Sequence, residues 1–232
     1  MKKRVGVIFG GRSGEHEVSI RSAKTVVEQI DPSKYDVVPL AITNTGRWLS
    51  PAMSLELFPE STQALYRDRF GEPASATACL TGDSQIRGLA VLENGGKIEL
   101  DVVFPVLHGT FGEDGTIQGL FEMADLPYVG CGVLASSCGM DKAFMKTLFR
   151  DAGLPMCEYV WFLRDEWEAN REVVLKQVDT KLGFPCFVKP ANLGSSVGVS
   201  KATDQASLAD AIALAAQYDR KIIVEEGLEM RE

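Results

Sequence analysis

Four glycine-marked or acidic stretches of this chain hold residue types that could bind or move charge. The first is Gly10-Gly11-Arg12-Ser13-Gly14-Glu15, between an apolar run and a helical one. A glycine turn lets backbone approach a ligand, and the helix start after it favours anions. The spacing is not G-x-G-x-x-G, and no acidic residue closes the second apolar run to hold a ribose, which argues against a dinucleotide site. A tight turn is the alternative, with Glu15 and Glu17 merely complementing the helix dipole. The second stretch is His108-Gly109-Thr110-Phe111-Gly112-Glu113-Asp114-Gly115-Thr116. It puts one of only two histidines at the carboxyl end of an expected buried strand, where ligands gather in open α/β sheets. Here the alternative is a histidine packing a loop, with Asp114 or Thr116 capping the next helix.

The third stretch, from Phe187 and Lys189 through Gly194-Ser195-Ser196-Val197-Gly198 to Val199, carries the strongest local signal. A lysine at a strand end precedes a loop with two hydroxyls between glycines. Such a loop can aim several N–H groups at phosphate oxygens while the lysine supplies a point charge. No G-K-[ST] follows, so it is not a Walker loop. A β-hairpin with a glycine turn and an exposed lysine is the plainer reading. The fourth, Val224-Glu225-Glu226-Gly227-Leu228, ends an apolar run where backbone and carboxylate could receive a purine's amino edge, although acidic strand ends are common. Lys142, alone on a helix, is the weakest candidate and reads equally well as a solvated side chain.

The elements that must position these residues alternate strand and helix, the mark of an α/β protein with largely parallel sheets. Strands are expected over Val5 to Phe9, Tyr35 to Ile42 and Asp101 to Leu107, and helices over Glu17 to Ile30 and Thr116 to Ala124. Thr43 to Gly96, rich in Ser, Thr, Pro and Gly, promises only short strands such as Leu89 to Leu92 and a turn at Asn94-Gly95. Near Met140 the composition shifts. Asp141 to Ala152 reads as a helix with Phe144, Leu148 and Phe149 on one side, ended by Gly153 and Pro155. Beyond it come a strand (Glu158 to Leu163), a helix (Glu166 to Leu182), a strand (Pro185 to Lys189), the glycine loop and a strand (Val199 to Lys201). A helix (Gln205 to Tyr218) with Asp204 as N-cap and a strand (Lys221 to Glu226) close the series. A small α/β region is thus followed by an α+β one.

Composition narrows the class of function. The 232 residues are 45% hydrophobic, enough for a sizeable core, and carry a formal net charge of −8, the wrong sign for a nucleic-acid binder. The longest stretch without Asp, Glu, Lys or Arg, Leu126 to Met140, is too short and too rich in Gly and Ser to cross a bilayer. Five cysteines form no C-x-x-C pair and read as reduced thiols of a cytoplasmic protein.

In order and spacing, these stretches resemble the D-alanine–D-alanine ligases of the ATP-grasp superfamily. The shared landmarks are V-I-F-G-G-R-S-G-E-H-E-V-S, F-P-V-L-H-G-T-F-G-E-D-G-T-I-Q-G, G-M-D-K, F-V-K-P-A-N-L-G-S-S-V-G-V-S and I-V-E-E-G-L-E-M-R-E. The resemblance covers almost the whole chain, Thr43 to Gly96 least. It implies an N-terminal open parallel-sheet domain over 1–139, pre-ATP-grasp and Rossmann-like, that binds D-alanine. An α+β ATP-grasp lid subdomain would follow over 140–232, with the C-terminal ATP-grasp subdomain absent. It further implies that Glu15 holds the ammonium of the first D-alanine, with Ser195 its hydrogen-bonding partner on the glycine loop. Val18, Ser19 and His108 would line that pocket. Lys142 and Lys189 would contact ATP phosphates, with Ser196 and Val197 in the loop that folds over them. Glu225, Glu226 and Leu228 would meet the adenine edge, and Glu232 the ribose hydroxyls.

The implied reaction joins two D-alanines through an acyl phosphate for peptidoglycan precursor synthesis, in a cytoplasmic homodimer that binds neither nucleic acid nor membrane. Family members continue past Arg231-Glu232 into a region supplying an arginine, a mobile loop and the ligands for Mg²⁺ (or Mn²⁺), so no metal ligand is expected in this chain. The expectation is a fragment, inactive or nearly so by itself. A D-alanine–D-lactate or other carboxylate–amine ligase, and a non-catalytic nucleotide- or D-alanine-binding module, are the alternatives.

Overall fold

Val5 to Phe9 and Val37 to Ile42 are nearly devoid of polar side chains, so strands made from them need cover on both faces. A computed structural model describing residues 1–92 and 95–228 supplies it; Glu232, and Asn94 of the expected turn, lie outside the described residues. The chain divides into two compact units, Met1–Ser137 and Cys138–Glu232.

The first unit runs β1 (Lys3–Gly10), α1 (His16–Gln29), β2 (Tyr35–Ile42), α2 (Pro51–Leu55), α3 (Glu60–Phe70) and β3 (Ala78–Leu80). It continues with β4 (Gly88–Val91), β5 (Lys97–Glu99), β6 (Val102–Pro105) and α4 (Thr116–Met123), and α5 (Val133–Met140) crosses the division. Among the described residues β2-β1-β6 form a sheet parallel throughout, with Gly10 opposite Ile42 and Ile8 opposite Pro105. Alternation along β1 sorts its side chains. Val5, Val7 and Phe9 pack with Ala23 and Val27 of α1 and with Leu55, Phe58 and Tyr66. Ile8 faces the other way, onto Phe121 of α4 and Leu80 and Leu89 of the small antiparallel sheet β3-β4-β5. Phe9 stacks on Phe58 with ring centroids 4.9 Å apart, worth about 0.5–1.5 kcal/mol beyond the area buried.

The stretch from Thr43 to Gly96 holds more order than its composition promised. Leu89 to Leu92 is matched by β4 to within a residue at each end, but α2, α3 and β3 precede it. Pro51 begins α2 behind the Ser50 cap, whose hydroxyl accepts from the Met53 N–H at 3.2 Å.

The second unit runs α6 (Lys142–Asp151), β7 (Tyr159–Leu163), α7 (Arg164–Ala169), α8 (Arg171–Lys181) and β8 (Cys186–Pro190), then β9 (Ser200–Ala202), α9 (Gln205–Tyr218) and β10 (Lys221–Glu226). Its sheet, ordered β7-β10-β8-β9, is antiparallel throughout, so the parallel pairing that the alternation suggested holds only in the first unit. Alternation of strand and helix does not fix strand direction, and β8 returns to β9 through a hairpin. The single helix expected over Glu166 to Leu182 is two, because Asn170 leaves helical geometry at φ −155° and ψ 77°. Asn side chains compete for nearby backbone groups and favour such breaks.

Alternation also sorts this sheet. Val160, Val188, Ile222 and Val224 point into the core under α8 and α9. The opposite face carries Lys189, Glu225 and Ile223, and the start of α6 covers part of it through Ala143, which packs with Tyr159 and Ile223. Asp204 caps α9 as expected, accepting from the Ser207 N–H at 2.8 Å.

Candidate functional site

In the first unit the glycine turn after β1 is forced by its neighbours. Gly10 has φ +84°, and a β-carbon there would lie 2.3 Å from the Ile42 carbonyl oxygen. Ser19, one helical turn into α1, is fully buried. Its hydroxyl accepts from the Gly10 N–H at 2.7 Å and donates to the Val106 carbonyl, joining α1 to the ends of β1 and β6. Ser19→Ala leaves both backbone groups buried without that partner, at about 1–3 kcal/mol each. A urea titration is expected to show about 2–4 kcal/mol lost, and a change under 0.5 kcal/mol would refute the role.

Around that seam the carboxyl ends of the strands open a cavity of about 220 Å³. Gly11, Arg12, Trp48, Leu107, His108 and Phe111 are among its lining residues, and the Arg12 guanidinium lies 4.7 Å from the Phe111 ring centre. The volume is below the roughly 300–1,000 Å³ of drug-sized ligand pockets and suits a small solute. His108 Nε2 lies 3.1 Å from Ser22 Oγ, and its Nδ1 is 3.8 Å from Glu113 Oε1, beyond hydrogen-bond reach. Glu113 also accepts from the Gly109 N–H at 2.8 Å, and Asp114 accepts from the Thr116 N–H at 3.0 Å. Glu15, at the start of α1, brings Oε2 to 2.8 Å from where a Gly109 β-carbon would stand, so the turns after β1 and β6 meet. Val18 is half exposed, whereas Ser19 is committed to the backbone bonds above. Ser22 was not singled out from the sequence. The only signal for it is its place one turn beyond Val18 on α1.

In the second unit three lysines from two elements converge. Lys189, on β8, donates to Glu225 Oε2 at 2.5 Å, and Lys146, on α6, pairs with Glu225 Oε1 at 3.2 Å. Lys142, one turn earlier, reaches the carbonyls of Leu193 and Ala191 at the root of the glycine loop. Its pKa is lowered, first by burial and then by the Lys189 charge. Burial opposes the charge on Glu225, yet the bonds to Lys189 and the nearness of Lys146 hold its carboxyl below the usual range. Asp141 caps α6 through the Ala143 and Phe144 N–H groups and also pairs with Lys221 at 2.5 Å.

The loop itself joins β8 and β9 as a hairpin, but Lys189 at its root is ion-paired and only partly exposed. Ser195 and Ser196 both have positive φ, +51° and +58°, and the Val197 N–H bonds to the Gly194 carbonyl at 3.2 Å. This is a tight turn of the type that usually recruits glycine or asparagine at both central positions. Ser195, Ser196 and Val197 are exposed, and Asp219 anchors the loop by accepting from the Asn192 N–H at 2.7 Å. The Glu226 carboxylate accepts from the Glu158 N–H at 2.7 Å, and Leu228 is exposed. Lys146 was missed, since on α6 alone it reads as a solvated lysine. Among the described residues no three His, Cys, Asp or Glu side chains converge as metal ligands.

A parallel-sheet unit with a small pocket at its strand ends, followed by an antiparallel unit with a lysine-rooted glycine loop, makes this an α/β protein of two units, each with its own candidate site. The chain matches the family described as D-ala D-ala ligase N-terminus over residues 4–131 and the D-ala D-ala ligase C-terminus over 148–232. It is 47% identical over 232 residues to a D-alanine–D-alanine ligase of Heliobacterium modesticaldum and 46% over 233 residues to that of Geobacillus thermodenitrificans. In both cases all of this chain and 62% of the relative are covered. Among solved structures, the VanG D-Ala:D-Ser ligase of Enterococcus faecalis aligns with TM-score 0.83 and 36% identity over 99% of this chain and 64% of that one. The D-alanine-D-alanine ligase of Coxiella burnetii aligns with TM-score 0.81 and 31% identity, over 98% and 64%. The chain belongs to the D-alanine–D-alanine ligase family, and it spans about 62% of the length of these curated relatives.

Proposed function

We propose that this chain contributes the D-alanine-binding part (1–139) and the nucleotide lid (140–232) of an ATP-dependent D-alanine–D-alanine ligase acting in peptidoglycan precursor synthesis in the cytoplasm, as a homodimer. The observation that carries the reading is the convergence of Lys142 and Lys189 at the root of a loop whose backbone is already turned. Two amines and a run of amides suit a polyphosphate, because charge-assisted bonds to phosphate oxygen are the strong ones. In the first unit Glu15 takes the ammonium of the first D-alanine, and His108, held by Ser22, flanks the pocket. Ser195 offers a hydroxyl from the exposed turn of the glycine loop. Ser196 and Val197 cover the phosphates, and Glu225, Glu226, Leu228 and Glu232 serve the nucleoside.

An amine cannot displace hydroxide from a carboxylate at neutral pH. The first D-alanine carboxylate therefore attacks the γ-phosphate of ATP, giving ADP and an acyl phosphate, and the second amine expels phosphate to form the dipeptide. The contribution of these residues is positioning and charge compensation, with the loop excluding water. D-alanine as second substrate is favoured over D-serine by the higher identity to relatives named D-alanine–D-alanine ligase than to VanG. The chain by itself is expected to bind ATP without turnover.

Calorimetric titration with ATP tests the reading, paired with phosphate release in the presence of D-alanine. Lys189→Ala and Lys142→Ala should each weaken binding about 10- to 100-fold, the size of one lost charge-assisted contact. Undiminished affinity in Lys189→Ala, or brisk phosphate release by the unmodified chain, would contradict it.

A further inference from the structure

Lys146 has no part in the function argued so far, yet it is among the most completely enclosed charges in the second unit, with 11% of its side chain exposed. Its ammonium donates to Cys157 Sγ at 3.2 Å, pairs with Glu225 Oε1 at 3.2 Å and lies 5.5 Å from the Tyr159 ring centre. Fully partnered on three sides, it is not placed to reach a ligand itself. The charge count shows what it does. Lys189 and Glu225 alone would form a neutral pair, and the Lys189 amine at 2.5 Å from that carboxylate would exert little pull on an anion beyond it. A second lysine on the other carboxylate oxygen leaves the three-residue cluster with one net positive charge. Lys142 beside it adds a second, which Asp219 at the loop root offsets, while Asp141 and Lys221 cancel, so the root as a whole keeps one net positive charge.

We propose that Lys146 is a positioning residue for nucleotide binding: by occupying one oxygen of Glu225 it divides that carboxylate between two amines and leaves the charge of Lys189 available to phosphate. The proposal rests on the ATP reading above for its ligand, but its effect on Lys189 is a property of the cluster without ligand.

Two measurements on the 232-residue chain test it. The first is the acetylation rate of Lys189 by acetic anhydride without nucleotide, followed by peptide mass spectrometry. The second is ATP affinity by calorimetry. Lys146→Met gives Lys189 the whole carboxylate, so its amine is held more tightly and labelling should slow several-fold. ATP affinity should fall about tenfold. Lys146→Arg, which keeps the charge, should stay within about threefold of the parent in both.

Labelling of Lys189 within twofold of the parent in Lys146→Met would overturn the proposal. If Lys146→Met does not fold, Lys146→Gln decides on the same readout: slowed labelling of Lys189 supports the role, and labelling within twofold of the parent refutes it. Labelling in the expected order from a chain that binds no ATP would uphold the effect on Lys189 and defeat the nucleotide reading instead.

Discussion

Glu225→Ala is expected to cost the second unit about 3–5 kcal/mol at neutral pH, because it strands buried amines whose shared counter-charge is gone. Glu225 is buried with only 11% of its side chain exposed, and it pairs with Lys146 and Lys189 at once. For a unit of this size, each kcal/mol moves the melting midpoint by roughly 4–8 °C, so a fall of about 12 °C or more should be seen. The pH dependence has a definite sign. The carboxyl pKa is below its ordinary 4.5 in the folded state, so its stabilisation is present above that value and fades as pH falls through the folded pKa. Urea titrations of parent and variant should therefore diverge at neutral pH and converge on acidification. Equal stability of the two at neutral pH would show that the lysines need no shared carboxylate.

Gly10→Ala should be nearly as damaging to the first unit. Its φ of +84° is one that an L side chain rarely adopts, and the new β-carbon would meet the Ile42 oxygen at 2.3 Å and His16 Cε1 at 2.9 Å. The Ile42 atom is backbone of the paired strand, so β1 and β2 must part at the mouth of the pocket. A loss of about 3 kcal/mol or more is expected by chemical denaturation. Gly14→Ala is the control, since a β-carbon there has nothing within 4 Å and the change should stay within about 0.5 kcal/mol. Similar behaviour of the two variants would mean that the turn after β1 tolerates side chains the geometry forbids.

The parallel sheet was legible because β1 and β2 are apolar on both faces, a pattern that a surface strand cannot carry. The helices around Thr43 to Gly96 were not. In α3 only Thr62 and Tyr66 are buried, too few apolar positions to set a period, and β3 and β5 are three residues long. The glycine loop announced itself through Lys189 and its two serines, whereas the amine cluster did not. Lys146 and Lys142 lie one helical turn apart on α6, indistinguishable by type, and only the packing of α6 on the sheet gives one to Glu225 and the other to the loop carbonyls. Glu225 was read as meeting an adenine edge, and its carboxylate also organises the amines around it. Long-range partnership of this kind leaves no local spacing to find.

Within each unit a different kind of bond holds the candidate site in shape. At the seam of the first, one serine hydroxyl ties a helix to two strand ends through neutral groups, and dissolved ions have nothing there to screen. At the loop root of the second, the pull on an anion comes from net charge, and its reach shortens from about 10 Å in 0.1 M salt to about 3 Å in 1 M. Raising ionic strength thus leaves the shape of the small pocket as it is while dimming the attraction of the lysine cluster.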